Sequence, residues 1–305
     1  MKNPTTLPNA IIAGVNKAGT SSLFEYMGQH PSVGKSKVKE TCYFLPIRYG
    51  REPLPVSEYR DQFKHVSDKP VRFEATPGYF YGGRPLGEAI QELLGARVRI
   101  LILLRDPVQR LLSFFRMMKS TLQIPEDTSL DEYVQKCEAL SSGEVQEQKN
   151  NRYFGIEGGR YEKYVDPWLE LFGDRVLILF AEYLHEHPRN VLEQVFSFVD
   201  VDPSFASEVD FTRENQSTNY KSVAMQRIAM ALNNAGEKLW RRFPTAKNAV
   251  RSAYYWLNGE PFDRSYDPET IAYLERLYAP HCRMLQERLA EHVNDDVPDW
   301  LQDSA

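Results

Sequence analysis

Residues 11–27 read IIAGVNKAGTSSLFEYM: an apolar strand, a loop bearing two glycines, and an amphipathic helix. In that context successive backbone N–H groups and the positive end of a helix can hold a phosphate. The familiar phosphate loop has the pattern GxxxxGK[ST]. Gly14 and Gly19 stand at its interval, but position 20 is Thr20, and the lysine of the loop, Lys17, comes three residues earlier. No loop lysine is therefore set to reach between the β- and γ-phosphates of a nucleoside triphosphate. A loop that keeps the cradle and moves its cation suits a nucleotide with a shorter 5′ chain. Lys17 would then neutralise charge on the oxygen of the bond that breaks, beside Ala18 and Gly19, while Thr20, Ser21 and Ser22 donate hydrogen bonds. The same residues also read as an ordinary strand-to-helix turn whose hydroxyls cap the helix.

Outward from this loop, further apolar runs occur at 10–15, 71–74, 98–104 and 176–180, most with segments of helical period between them. That alternation predicts an α/β protein, a P-loop-containing nucleotide-binding fold with a central parallel sheet flanked by helices. Helices are expected at 21–29, 107–119, 161–172, 188–199 and 268–292, the last kinked at Pro280. The polar stretch from 121 to 159 reads as a partly helical excursion over one face of the sheet. With no repeat or linker in 305 residues, a single domain over 1–305 is expected.

Composition narrows the partners. A net charge of −5 argues against a surface given over to nucleic acid or to a heavily sulfated polymer, although a local basic cleft stays open. Cys42, Cys137 and Cys282 form no CxxC pair, so neither a zinc site nor a disulfide framework is expected. No run reaches the roughly 18 apolar residues that span a bilayer, and MKNPTTLPNA lacks the apolar centre of a signal peptide. The expectation is a cytoplasmic protein with no transmembrane segment. The oligomeric state is not legible.

A second strand end repeats the logic of the first. In RILILLRDPVQRLLSFFRMM, residues 99–118, Asp106 suits a helix N-cap and Pro107 the first helical position, which leaves Arg105 at the carboxyl edge of the sheet. An arginine fork with a hydroxyl, Ser113 two turns on, suits a phosphate monoester. Together GVNKAGTSSLF and RDPVQRLLSFF resemble the 5′-phosphosulfate loop and the 3′-phosphate motif of sulfotransferases that use 3′-phosphoadenosine 5′-phosphosulfate (PAPS). The resemblance to the bacterial and glycan-modifying branch runs on through GGRYEKYVDPWLELFGDRVLILFAEYLHEHP and YAPHCRMLQERL. It implies one sulfotransferase domain, an enzyme that moves a sulfuryl group from PAPS to an acceptor hydroxyl, leaving 3′-phosphoadenosine 5′-phosphate (PAP). No metal is required. Arg105 and Ser113 would hold the 3′-phosphate. ENQSTNYKS resembles the late basic loop that closes over the nucleotide, which brings in Tyr220 and Lys221; a solvated loop is the other reading.

The acceptor must lose a proton as it attacks sulfur. Glu40, in KETCYF, resembles the catalytic glutamate of the glycan-modifying branch and is expected to be the general base. His30, His65, His185, His187 and His281 lack a supporting motif, and no metal site is expected. In RFEATPGYFY that branch often has a lysine after the glutamate, where this chain has Ala75, and Glu74 is expected to position Lys39 or Arg72. The acceptor is thereby expected to be a glycan, glycolipid or small metabolite, more neutral than heparan. Tyr43, Phe44, Tyr79, Phe80, Tyr81, Tyr254, Tyr255 and Trp256 are candidates to line its cleft, with core packing expected for most. Two other classes stay open: a magnesium-dependent P-loop nucleotide kinase or NTPase, and a catalytically silent nucleotide-binding partner protein.

Overall fold

A computed structural model of the chain describes residues 6–212, 219–220, 222–235, 250, 254, 258–260, 265–293 and 297–302. Its centre is β1 (Ala10–Gly14), buried at every residue. On one side β1 pairs with β3 (Val71–Ala75), which pairs with β2 (Val33–Lys35); on the other it pairs with β4 (Arg99–Leu104), which pairs with β5 (Val176–Phe180). All four pairings are parallel. Strands covered on both faces read as unbroken apolar runs instead of alternating ones, as RILILL and VLILF do. The run 98–104 begins one residue before β4. The strand β2 escaped the sequence reading because three residues, VGK, offer no period to detect.

The helices follow from their caps and faces. After α1 (Thr20–Met27) come the short α2 (Leu45–Arg48) and α3 (Val56–Asp61), and α4 (Gly83–Leu94) leads into β4. The sequence GRPLGEAIQELL had hidden α4, because two glycines and a proline dilute its apolar period. Then α5 (Pro107–Ser120) opens where the Asp106 carboxylate accepts from the N–H of Val108 at 2.7 Å and of Gln109 at 3.2 Å. The excursion holds α6 (Leu130–Glu138), started by a capping box between Ser129 and Glu132, and then three 3₁₀ turns. The later helices among the described residues are α7 (Glu162–Phe172), α8 (Ala181–Glu186), α9 (Pro188–Phe198), α10 (Val223–Ala235), α11 (Pro268–Leu289) and α12 (Asp299–Gln302). Helix α11 continues through Pro280, which deprives the Arg276 carbonyl of its intrahelical donor.

The topology places a crevice. From β1 the chain builds β2 and β3 on one side and then returns to lay β4 and β5 on the other. In open parallel sheets such a reversal leaves a ligand crevice beyond the carboxyl ends of the two central strands. Gly14 and Leu104, the last residues of β1 and β4, mark it. Tyr43, Phe44, Tyr79, Phe80 and Tyr81 are buried in the core and line no acceptor cleft. Tyr43 stacks on Tyr59, Phe44 meets Tyr59 and Tyr79 edge-to-face, Phe80 and Tyr81 pack edge-to-face on each other, and Trp168 donates its N–H to the Phe80 carbonyl at 3.0 Å. Tyr255 and Trp256 lie outside the described residues.

Candidate active site

At Gly14 a Cβ would stand 2.6 Å from Phe80 Cβ, so only glycine lets the end of β1 pass the aromatic core. Val15 N–H donates to the Leu103 carbonyl at 2.8 Å, and Ala18 N–H to that of Val15 at 3.3 Å, which folds the loop back against β4. Lys17 (φ 72°) and Gly19 (φ 90°) are both left-handed. Left-handed residues alternating with an ordinary one curl the backbone into a concavity of the kind that anions occupy. Gly19 is the N-cap of α1 and no side chain caps it. Thr20, Ser21 and Ser22 fill the first three helical positions, so their N–H groups have no intrahelical acceptor. The loop hydroxyls are thus not spent on capping.

Burial pushes the Lys17 ammonium from an ordinary 10.5 down to about 8; Arg105, Arg116 and Lys39 push the same way and Glu40 opposes them. Arg105 Nη1 donates to the Lys17 carbonyl at 2.9 Å, which joins the two strand-end motifs directly. The Arg105 carbonyl accepts from the Tyr161 hydroxyl at 2.8 Å, and the next N–H, of Asp106, donates to Glu182 Oε1 at 3.0 Å. Burial lowers the Arg105 guanidinium while the neighbouring Glu182 supports its charge. Asp106 is spent on its cap. Ser113, 8% exposed, follows on α5 and lines the same cleft.

The third wall is the segment after β2. Lys39 Nζ lies 3.3 Å from Thr20 Oγ1 and 3.1 Å from Glu40 Oε1. Glu74, expected to position Lys39 or Arg72, touches neither. Its fully buried carboxyl accepts from Thr76 Oγ1 at 2.6 Å, the Tyr59 hydroxyl at 2.9 Å and the Tyr79 hydroxyl at 3.0 Å. Burial raises its pKa against the pull of those donors. Arg72 instead donates to the carbonyls of Leu7 and Lys69. The hydroxyls gathered by Glu74 also receive the loop: Cys42 N–H donates to Thr76 Oγ1 at 3.2 Å, and Phe44 N–H to the Tyr79 hydroxyl at 3.2 Å. A buried acid thereby fixes the backbone just beyond Glu40.

These walls enclose a cleft of about 1000 Å³. It brings together the loop from Lys17 to Ser22 with Glu40, Arg105 and Ser113. Tyr220 ends a two-residue strand, β6 (Asn219–Tyr220), which pairs antiparallel with β7 (Gly259–Glu260); its side chain and all of Lys221 lie outside the described residues. Sequence reasoning missed Lys39, Tyr161 and Glu182 as site residues, although each stood inside a quoted motif; what was absent was any sign of which way they face. His30 is structural: Nδ1 accepts from Ser32 N–H at 3.0 Å, which leaves Nε2–H to donate to the Asp202 carbonyl at 3.2 Å. Among the described residues no three His, Cys, Asp or Glu side chains gather as a metal site, and no helix is long and apolar enough to cross a membrane.

A family model described as a sulfotransferase domain matches residues 7–245. The heparan sulfate glucosamine 3-O-sulfotransferase 3A1 of Mus musculus is 28% identical over 195 residues, 63% of this chain and 46% of that one. The heparan sulfate glucosamine 3-O-sulfotransferase 5 of Homo sapiens is 26% identical over 198 residues, 65% and 54% of the two chains. The chain thus spans about half the length of these relatives. A sulfotransferase structure from Alicyclobacillus acidocaldarius aligns with a TM-score of 0.59 at 22% identity, covering 76% of this chain and 94% of that one, a likeness of fold.

Proposed function

The chain belongs to the sulfotransferase family, and from that premise we propose that it transfers a sulfuryl group from PAPS to an acceptor hydroxyl, acting as one domain in the cytoplasm. The observation that carries the donor assignment is the 2.9 Å bond from the Arg105 guanidinium to the Lys17 carbonyl. It sets two anion receptors at one cleft, as a nucleotide with charge at both its 3′ and 5′ positions requires. The donor set fits such a ligand: unpaired N–H groups at the head of α1, the Ser21 and Ser22 hydroxyls with that of Thr20 on Lys39, a guanidinium, and an ammonium held down by burial and by neighbouring cations. Among the described residues Cys42, Cys137 and Cys282 form no disulfide, which suits a reducing compartment.

When bound, PAPS supplies a sulfuryl group on a phosphate leaving group. The loop N–H groups and the hydroxyls of Thr20, Ser21 and Ser22 hold the 5′ end. Arg105 and Ser113 hold the 3′-phosphate. Lys17 neutralises the charge that grows on the leaving oxygen. Glu40, whose side chain is 51% exposed and so open to an incoming acceptor, takes the acceptor proton during in-line attack. Tyr220 and Lys221 are proposed to close over the nucleotide.

Relatives named for heparan sulfate favour a glycan hydroxyl as acceptor. The uncharged Ala75 beside the site favours one less anionic than heparan, with glycolipids and small metabolites as the other classes. Labelled PAPS offered with glycan, glycolipid and phenolic acceptors, with and without EDTA, tests the reading. Label in an acceptor hydroxyl, undiminished by EDTA, is expected. No transfer from PAPS, or EDTA-sensitive phosphoryl transfer from ATP, would overturn it in favour of a P-loop kinase.

A further inference from the structure

Lys39 has no part in the mechanism above, yet its ammonium stands between the two halves of the site. Nζ is 3.3 Å from Thr20 Oγ1, at the head of α1, and 3.1 Å from Glu40 Oε1. Its side chain is 22% exposed, against 51% for Glu40. An exposed ion pair is worth only about 0–1 kcal/mol, so pairing with Glu40 alone gives an ammonium little reason to turn inward onto a loop hydroxyl. The backbone directs it there. The Lys39 carbonyl accepts from Ala75 N–H at 3.0 Å at the end of β3, and the Glu74 network clamps Cys42 and Phe44 just beyond.

The charge has a cost in the free protein. Lys39 is among the cations that hold the Lys17 ammonium down, behind burial, Arg105 and Arg116, and only Glu40 pulls the other way. Arg105 and Lys39 gather in the same cleft as Lys17, with the Glu40, Glu182 and Glu186 carboxylates also on its walls. Such a gathering of like charges becomes favourable when a strongly anionic group lies among them.

Resting on the donor assignment made above, we propose that Lys39 is a catalytic cation of the transfer step, binding a non-bridging oxygen of the migrating sulfuryl group while holding Glu40 toward the acceptor. The acceptor oxygen bonds to sulfur as the bond from sulfur to the 5′-phosphate oxygen breaks. The electron pair leaves with the phosphate, and the acceptor proton passes to Glu40. Lys17 faces the leaving oxygen and Glu40 the entering one; Lys39 lies between, where the sulfuryl oxygens carry negative charge throughout. The Thr20 hydroxyl keeps the ammonium in place until the donor arrives. A preorganised donor of this kind is worth about 10²–10³ in rate.

Lys39→Met and Lys39→Arg test the role, with Lys39→Gln taking the place of the methionine variant should that one fail to fold. Turnover is read as PAP released from PAPS, with 2-naphthol and a heparosan oligosaccharide as acceptor probes and water as acceptor where neither serves. Lys39→Met is expected to lose about a hundredfold in turnover while binding PAP within about threefold of the parent, and Lys39→Arg to recover much of the loss. A second readout needs no turnover: the pH at which PAP affinity falls, set by Lys17, should move upward in Lys39→Met and stay in place in Lys39→Arg. Turnover of Lys39→Met within about threefold of the parent, or an unmoved midpoint, overturns the proposal while leaving the donor assignment standing. A parent enzyme that neither binds PAP nor consumes PAPS overturns the donor assignment, and this proposal with it.

Discussion

At Lys17 the protein holds a cation against its own burial, and that tension has measurable consequences. Its folded pKa of about 8 lies below the ordinary 10.5. Between those values the unfolded chain keeps a proton that the folded chain has released, so stability rises with pH through that window. Below pH 8 both states are protonated and the burial cost is fully felt. A bound bisphosphate pulls the other way, stabilising the ammonium. PAP binding should therefore take up a proton above pH 8 and weaken as pH rises through that range. Calorimetry in buffers of different ionisation enthalpy checks this, and Lys17→Met should abolish both the uptake and the pH dependence. Glu40→Gln should cut turnover about a hundredfold or more with PAP affinity little changed, as single-turnover and binding measurements would show; undiminished turnover would remove Glu40 as the base. Lys17 and Arg105 could be placed at the cleft because their spacing from a strand end fixes where they emerge, whereas Ser113, well inside α5, depended on how that helix packs against the sheet. Lys39 was not, because its direction depends on a backbone bond to Ala75, 36 positions along the chain.

At the scale of elements, the strand ends are the working parts and the buried acid under the third wall is their brace. Glu74 offers two oxygens to three hydroxyl donors, two of which go on to receive the N–H groups of Cys42 and Phe44. Glu74→Gln keeps the shape but replaces one acceptor by a donor, leaving a buried hydroxyl in conflict. It should lower stability by about 1–3 kcal/mol in urea unfolding and reduce turnover, because the segment that carries Glu40 loosens, while PAP affinity holds. Unchanged stability and turnover would show that the network braces nothing. The sequence reading had paired Glu74 with a cation because charge complementarity is visible in one dimension; three hydroxyls converging from Tyr59, Thr76 and Tyr79 are not. The same limit explains the aromatic residues. TPGYFY reads as a possible substrate wall, but the turn after β3 drives all three rings inward.

Across the described molecule, an acidic chain gathers Lys17, Lys39 and Arg105 in a cleft, beside Glu40, Glu182 and Glu186, at the point where its parallel sheet reverses direction. Four of the five strands of the central sheet, and its parallel topology, could be read from apolar runs, because a sheet covered on both faces demands them. In that sheet only the three-residue edge strand β2 gave no such signal. The central claim is that the cleft grips both charged ends of one nucleotide. Thermal unfolding with PAP, 5′-AMP and ADP measures it most directly. At a hundred times its dissociation constant a ligand stabilises by about 2.7 kcal/mol. PAP at that excess should raise the midpoint by several degrees, 5′-AMP and ADP at equal concentration should raise it far less, and Arg105→Ala should erase the difference. A midpoint unmoved by PAP, or moved equally by ADP, would contradict the account.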